Sequence, residues 1–327
     1  MEANARWVAL TAVAPVAWGA NYFVTRAYLP ADSPLYGAAL RALPAGIALL
    51  ALRRRRPRGV WWWRSAVLGV VNVSVFFALV YAASQLLPSS VASTVMAASP
   101  LTMMFLAWPL LAERPRAAHL GGAVIGLGGV CLMLLTGAVA ASVAGMLASA
   151  AAVLVSSFGH LLTKRWSAGT DMIATTAWQL VAGGLFLLPF AAVAEGAPPA
   201  LSPSALLAFA FVSLVATALA FTAWFTGLRH LPAGTVGLIG LLNPVTGVLC
   251  GVLIAGEELT GRQLCGLALV LTGVILGRPA RTRTRAAPGP PLPDTGARGP
   301  EPDQVSSSAS RSISSPSSQT PVRWLSQ

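Results

Sequence analysis

LPSSVASTVMAASPLTMMFLAWPLLAERPRAAHLGG (residues 87–122) and LPAGTVGLIGLLNPVTGVLCGVLIAGEELTGRQLCG (residues 231–266) are two versions of one pattern. At a constant offset of 144, without gaps, Leu87 pairs with Leu231, Pro88 with Pro232, Pro100 with Pro244, Thr102 with Thr246, Glu113 with Glu257 and Gly122 with Gly266. The same register pairs Gly129 with Gly273. Chance can match two glycines between apolar helices, but hardly two prolines and a terminal glutamate in one register. Upstream, a weaker match at an offset of 138 pairs Thr25 with Thr163, Arg26 with Lys164, Arg41 with Gln179 and Gly46 with Gly184. The chain therefore reads as a duplication.

Composition says what was duplicated. The 327 residues are 55% hydrophobic and 10% charged, against about 25% charged in soluble proteins. None of the ten Asp and Glu residues lies in the middle of an apolar run. Such a chain has too little polar surface to cover a globule in water, and reads as a polytopic helical membrane protein. The net charge of +12 does not point to nucleic acid, because the arginines cluster in short loops and in the C-terminal tail, where they orient a membrane protein. Cys131, Cys250 and Cys265 fall in apolar runs without metal-ligand spacing and read as packing residues.

A helix needs roughly 20 apolar residues to cross the hydrocarbon core. Ten segments qualify: 7–27, 35–52, 64–83, 89–111, 118–136, 143–163, 172–194, 203–227, 233–254 and 261–277. The expected fold is all-α, with ten transmembrane helices as a five-plus-five repeat over residues 7–136 and 143–277. Five is odd, so the second copy enters the membrane from the opposite side and the repeat is inverted. Residues 278–327, rich in Arg, Pro and Ser, are expected to form a disordered cytoplasmic tail.

The loops give direction. With the N-terminus in the cytoplasm, the inner segments hold Arg6, Arg53 to Arg56, Arg58, Arg64, Arg114, Arg116, Lys164, Arg165, Arg229 and the tail, whereas the outer loops hold only Arg26 and Arg262. That asymmetry predicts that both termini are cytoplasmic. RRRRPRGVWWWR (residues 53–64) reads first as such a topological signal, with Trp61 to Trp63 at the lipid interface, and second as a lipid-headgroup site.

Polar residues inside spans are costly, and tend to face a bundle interior or a water-filled path. Arg41 is the sharpest candidate. It can bind a substrate carboxylate or a partner carbonyl, or snorkel outward, and Gln179 occupies its place in the other half. Trp18, Asn21 and Tyr22 in the first span, Asn72 and Tyr81 in the third, His160 in the sixth, Trp178 in the seventh, Trp224 in the eighth and Asn243 in the ninth complete the substrate-path candidates. Pro100 and Pro244, in equivalent spans, are hinge candidates whose other reading is packing. Glu113 and Glu257 close the fourth and ninth spans. They are expected to cap the next helix or to pair with Arg116 and Arg262.

With these features in place the chain resembles the drug/metabolite transporter superfamily, specifically its EamA-like ten-helix permeases. The resemblance covers about residues 7–277. It rests on WGANYFVTR (18–26), ALRALPAGIALL (39–50), the proline-then-glutamate pattern ending spans four and nine, and TALAFTAWFTGLRHLPAGTVGLIGLLNPVTGVLCGVLIAGEELTGRQLCGLALVLTGVIL (217–276). It implies an inner-membrane permease for small metabolites, often an amino-acid or drug exporter. The four-helix multidrug members of the superfamily use an acidic residue in their first span. Here that span carries no carboxylate, so their device for proton coupling does not carry over.

The expected function is therefore secondary transport, in the export direction that the resemblance implies, across the inner or plasma membrane by alternating access, without cofactor, metal or catalytic residues. The expected partners are a small-molecule substrate and membrane lipid, not nucleic acid, and a homodimer is left open. An intramembrane enzyme would need a nucleophile with a base, or clustered metal ligands. A transporter-like sensor would need a signalling domain in the tail. Neither feature is found in the sequence.

Overall fold

The computed structural model describes residues 2–30, 32–87, 95–134, 142–255 and 260–276. Among them there is no strand. Ten helical stretches fall on the ten apolar segments. They are α1 (Glu2–Tyr28), α2 (Pro34–Arg53), α3 (Trp61–Gly69, Val70–Val75 and Phe76–Leu86), α4 (Ser99–Leu111), α5 (Ala117–Leu134), α6 (Val143–Trp166), α7 (Met172–Ala194), α8 (Pro203–Ser213, Leu214–Leu219 and Ala220–His230), α9 (Ala233–Gly240 and Leu242–Ala255) and α10 (Gly261–Leu276). Among the described residues, seven helices are long and apolar enough to cross a membrane by length and composition. The expected tail and Glu257 lie outside the described residues.

Polar side chains mark several helix starts. Asp171 accepts from the N–H groups of Ile173 and Ala174, Ser142 from Gly145, and Ser202 from Ala205, satisfying donors that no earlier turn can reach. Ser33 does not cap α2. Glu195, just beyond α7, does so from the other half of the chain, accepting from Leu35 N at 2.6 Å and Tyr36 N at 2.9 Å. Glu113 does the same for α9, through Ala233 N at 2.8 Å.

Glycine seams fix the closest packing. A Cβ at Gly129 would lie 2.6 Å from the Gly266 carbonyl oxygen, and one at Gly266 equally 2.6 Å from that of Gly129. Gly273 abuts Gly122 in the same way. Only a hydrogen fits at these crossings, so α5 and α10 run backbone against backbone. In the repeat register Gly129 corresponds to Gly273 and Gly122 to Gly266, so the seam pairs equivalent positions crosswise. Gly46 against Val181 and Gly184 against Leu43 do the same between α2 and α7.

The remaining contacts follow the same rule. α1 packs on α8 and α9, whereas α6 packs on α3 and α4; α4 also meets α9. Exchanging each helix for the one five places later leaves this set of pairings unchanged. Outward side chains such as Val193, 89% exposed, and Leu253, 80% exposed, suit lipid contact rather than water.

The helical irregularities recur as well. Val70–Val75 and Leu214–Leu219 are π-helical and stand at the 144-residue offset. A turn at Ala97 and Ala98 precedes α4, and a turn at Leu241 divides α9 at the corresponding place. Pro100 and Pro244 therefore sit in the first turn of the helical segment that follows each break. The two hinge candidates thus restart a helix rather than interrupt a continuous one. In a first turn the missing N–H has no intrahelical partner to lose, so the chain breaks before the proline and restarts on it.

Candidate functional site

A π segment widens the turn and leaves backbone carbonyls without their usual donors. In α8 the freed groups are met from two other helices. The Trp18 indole N–H of α1 donates to the Ala216 carbonyl at 3.0 Å. Arg41 of α2 donates through Nε to Thr217 Oγ1 at 3.1 Å and through Nη2 to Ala216 O at 3.4 Å. Thr217 in turn donates to Val212 O, five residues back, at 2.8 Å. Ser213 donates to the Arg41 carbonyl at 2.7 Å. The Arg41 guanidinium lies 5.0 Å from the Phe77 ring centre, within the range of a cation–π contact.

The π segment of α3 has a counterpart network built from amides. Asn72 Nδ2 donates to Gln179 Oε1 at 2.8 Å, Thr163 Oγ1 at 3.1 Å and Gly159 O at 3.4 Å. Ser74 donates to Gly183 O at 2.9 Å. Asn72 stands at the offset of Ala216, and Gln179 at that of Arg41. Each of the two residues singled out by the repeat thus docks on the π segment of the opposite half.

An aromatic cluster adjoins the α8 side. Trp18 lies 5.2 Å from Trp224 and 5.3 Å from Phe221. The Trp224 indole N–H donates to His160 Nδ1 at 3.3 Å, and His160 is edge-on to Phe225 at 5.6 Å. The last turn before the break in α9 reaches the same cluster, since a Cβ at Gly240 would meet the Trp224 ring at 3.2 Å. Just beyond the break, Gly19 of α1 abuts the Asn243 carbonyl, with 2.6 Å left for a Cβ. Asn21 Oδ1, Asn243 Oδ1 and Gln179 Nε2 are buried without a hydrogen-bond partner. Unsatisfied buried polar atoms are few in native proteins and need a reason.

Trp18, Arg41, His160 and Trp224 are thus linked around α8, and Asn72 joins Gln179 at α3. Trp178 stands apart. Its indole donates to the Arg55 carbonyl at 2.8 Å and lies 5.4 Å from Trp61, at the α2–α3 loop. The side chains of Tyr22 and Tyr81 lie outside the described residues.

Sequence reasoning missed two groups. One is Ser213, Ala216 and Thr217, which the repeat could have revealed by carrying Asn72 across. The other is the end of α6, where Lys164 Nζ meets Glu113 Oε1 at 2.5 Å and donates to Leu231 O at 2.8 Å. Glu113 therefore pairs with Lys164 rather than Arg116, and caps α9 rather than α5. These residues border a cavity of about 750 Å3, lined also by His119, Arg229 and His230.

The model of the EamA-like transporter family matches residues 5–135 and again residues 143–277. The chain belongs to the EamA-like transporter family. It is 36% identical to Protein PecM of Dickeya dadantii over 265 residues, covering 80% of this chain and 89% of that protein. It is 27% identical to YedA of Escherichia coli K12, described as an uncharacterised inner membrane transporter, over 80% of this chain and 87% of that one. A solved crystal structure superposes with a TM-score of 0.74 at 22% identity, covering 84% of this chain and 98% of the other, which is a likeness of fold. This EamA-like protein is thus a polytopic membrane transporter of the drug/metabolite superfamily.

Proposed function

We propose that this EamA-like protein is a secondary transporter that exports small organic metabolites, such as amino acids or drugs, by alternating access between two inverted five-helix halves. The observation that carries the reading is the exchange of contacts at the π segments. Arg41 of the first half rests on α8, and Gln179 of the second rests on α3. Contacts of this kind can be remade when the halves move, because the freed carbonyls of a π segment need partners in either arrangement. The positive-inside distribution supports a location in the inner or plasma membrane with both termini in the cytoplasm. Solute gradients drive the cycle, and no catalytic step is assigned.

Arg41 then supplies positive charge to the substrate path, with Trp18 and Trp224 as an apolar wall. The remaining sequence candidates, Asn21, Tyr22, Asn72, Tyr81, His160, Trp178, Gln179 and Asn243, belong to this proposal as lining or supporting groups. The test is flux in proteoliposomes, normalised to inserted protein, across carboxylate-bearing and uncharged substrates. Arg41→Ala is expected to reduce carboxylate flux well over tenfold, since loss of one partner of a buried charged contact costs several kcal/mol. Arg41→Lys should rescue only in part, because lysine lacks the planar fork. Normal normalised flux in Arg41→Ala would remove Arg41 from the path and leave it as a snorkelling residue.

A further inference from the structure

A second cavity borders the α2–α3 loop. It measures about 830 Å3 and lies between the end of α2, the start of α3 and the α6–α7 turn. Arg54, Arg55, Arg56 and Arg58 line it together with Trp61 and Trp178. A topological signal needs only a count of basic residues in a loop. It does not need a shaped cavity, yet this loop is held in shape. Arg54 ends α2 with a left-handed φ of 50°, its N–H bonded to Leu50 O. The Trp178 indole fixes the Arg55 carbonyl at 2.8 Å.

The charge is also uneven. Asp171 is the one acidic residue of the cavity wall. It sits 3.3 Å from Arg53 Nε and 3.9 Å from Arg55 Nη1, while also capping α7. Arg54, Arg56 and Arg58 make no ion pair among the described residues. Three guanidinium groups therefore border one concave space without counter-charge, and their planar forks match phosphate oxygens. Trp62 and Trp63 follow at once, 65% and 51% exposed. Exposed indoles at the end of a span sit at the level of lipid headgroups.

We infer that this cavity binds the phosphate of an anionic lipid headgroup. A water-soluble phosphate ester offers the same chemistry, but the exposed indoles beside the arginines favour a ligand whose tail lies in the bilayer. The inference does not depend on the transported substrate or on the direction of transport.

The test uses the full chain, purified in detergent, with a photoreactive phosphatidylglycerol whose crosslinks are mapped by mass spectrometry. Crosslinks are expected in residues 53–63 and 170–178, at least tenfold above a phosphatidylcholine probe, and weaker as salt is raised. Crosslinks confined to other basic loops would overturn the inference. Glycerol 3-phosphate at the same concentration should not compete; if it displaces the lipid probe, a free phosphate ester is the ligand and the lipid assignment fails. A basic residue near an anionic surface contributes about fivefold, so R54Q/R56Q/R58Q should reduce the local yield more than tenfold. Because those arginines also orient the chain, Trp178→Phe serves as a second variant. It keeps every charge but frees the loop, and should lower the lipid preference several-fold. An unchanged yield in either correctly inserted variant would refute the site.

Discussion

Lys164→Met removes the cation that ties the end of α6 to both α4 and α9. Lys164 Nζ meets Glu113 Oε1 at 2.5 Å and Leu231 O at 2.8 Å, while Glu113 Oε2 holds Ala233 N at 2.8 Å. The side chains are 15% and 30% exposed, so solvent screens the pair only in part. A hydrogen bond to a charged group is worth about 1.5–3 kcal/mol. Partial exposure argues for the low end, which corresponds to a shift of about tenfold to thirtyfold between two conformations. If the clamp holds this end of the bundle closed, its loss must populate an open form to that extent. Leu231, 2% exposed, reports the change. In a background without Cys131, Cys250 and Cys265, Leu231→Cys should react with an impermeant maleimide tenfold to thirtyfold faster when Lys164 is Met. Lys164→Arg, which keeps the charge, should stay near the parent rate. Equal rates for Lys164→Met and its parent would show that the clamp is not broken on opening, and would refute the argument.

Two further outcomes are expected. Gly129→Ala places a methyl 2.6 Å from the Gly266 carbonyl and should lower the Tm of the purified protein by a few degrees, at a cost of roughly 1–3 kcal/mol; Gly128→Ala, where nothing lies within 4 Å, should be neutral or stabilising because alanine favours helix. Pro100→Ala or Pro244→Ala should slow proteoliposome flux while leaving Tm and insertion near normal, since either change lets the helix extend back across the break; unchanged flux in both leaves the prolines as packing residues.

Most of the helical framework was legible because long apolar runs and short basic loops have few other solutions. The repeat was legible for the same positions that geometry constrains most: glycines at backbone crossings and prolines at helix restarts. Sequence patterns read less well where a backbone departs from regularity. Nothing in VVNVSV or LVATAL announces a π turn, because the extra residue is accommodated by partners on other helices. Arg41 and Gln179 were visible as polar residues in apolar spans, but not their docking on α8 and α3. Trp178 is parted from Gln179 because neighbours in a helix face different ways. It turns to the arginine loop while Gln179 turns to Asn72. The partner of Glu113 was missed because the nearest arginine in sequence is not the nearest cation in space.

Under the proposed alternating access, two identical halves would rest equally well in either of two exchanged arrangements, so the differences between the halves must choose the resting one. Several are visible at the offsets. Trp18 corresponds to Ser156, Arg41 to Gln179, and Ala216 to Asn72. Around α8 the π segment is held by an indole and a guanidinium, and around α3 by amides and hydroxyls that are 3% exposed or less. The second network is short-ranged and buried, with Gln179 1% and Asn72 2% exposed, although Gln179 Nε2 and Asn72 Oδ1 stay without a partner. The bonds it does make resist opening, since a buried Asn72 Nδ2 that loses its acceptors costs about 1–3 kcal/mol. The first network presents a permanent charge over Phe77, on the Ala216 carbonyl that Trp18 also holds. A cargo with an anionic end and an apolar body would compete for it on favourable terms, replacing the carbonyl and hydroxyl contacts of Arg41 with a bidentate carboxylate. On the proposed alternating-access reading, the asymmetry of the halves therefore favours the α1–α2–α8 side as the place where cargo binds, and the α3–α6–α7 side as the support against which it moves.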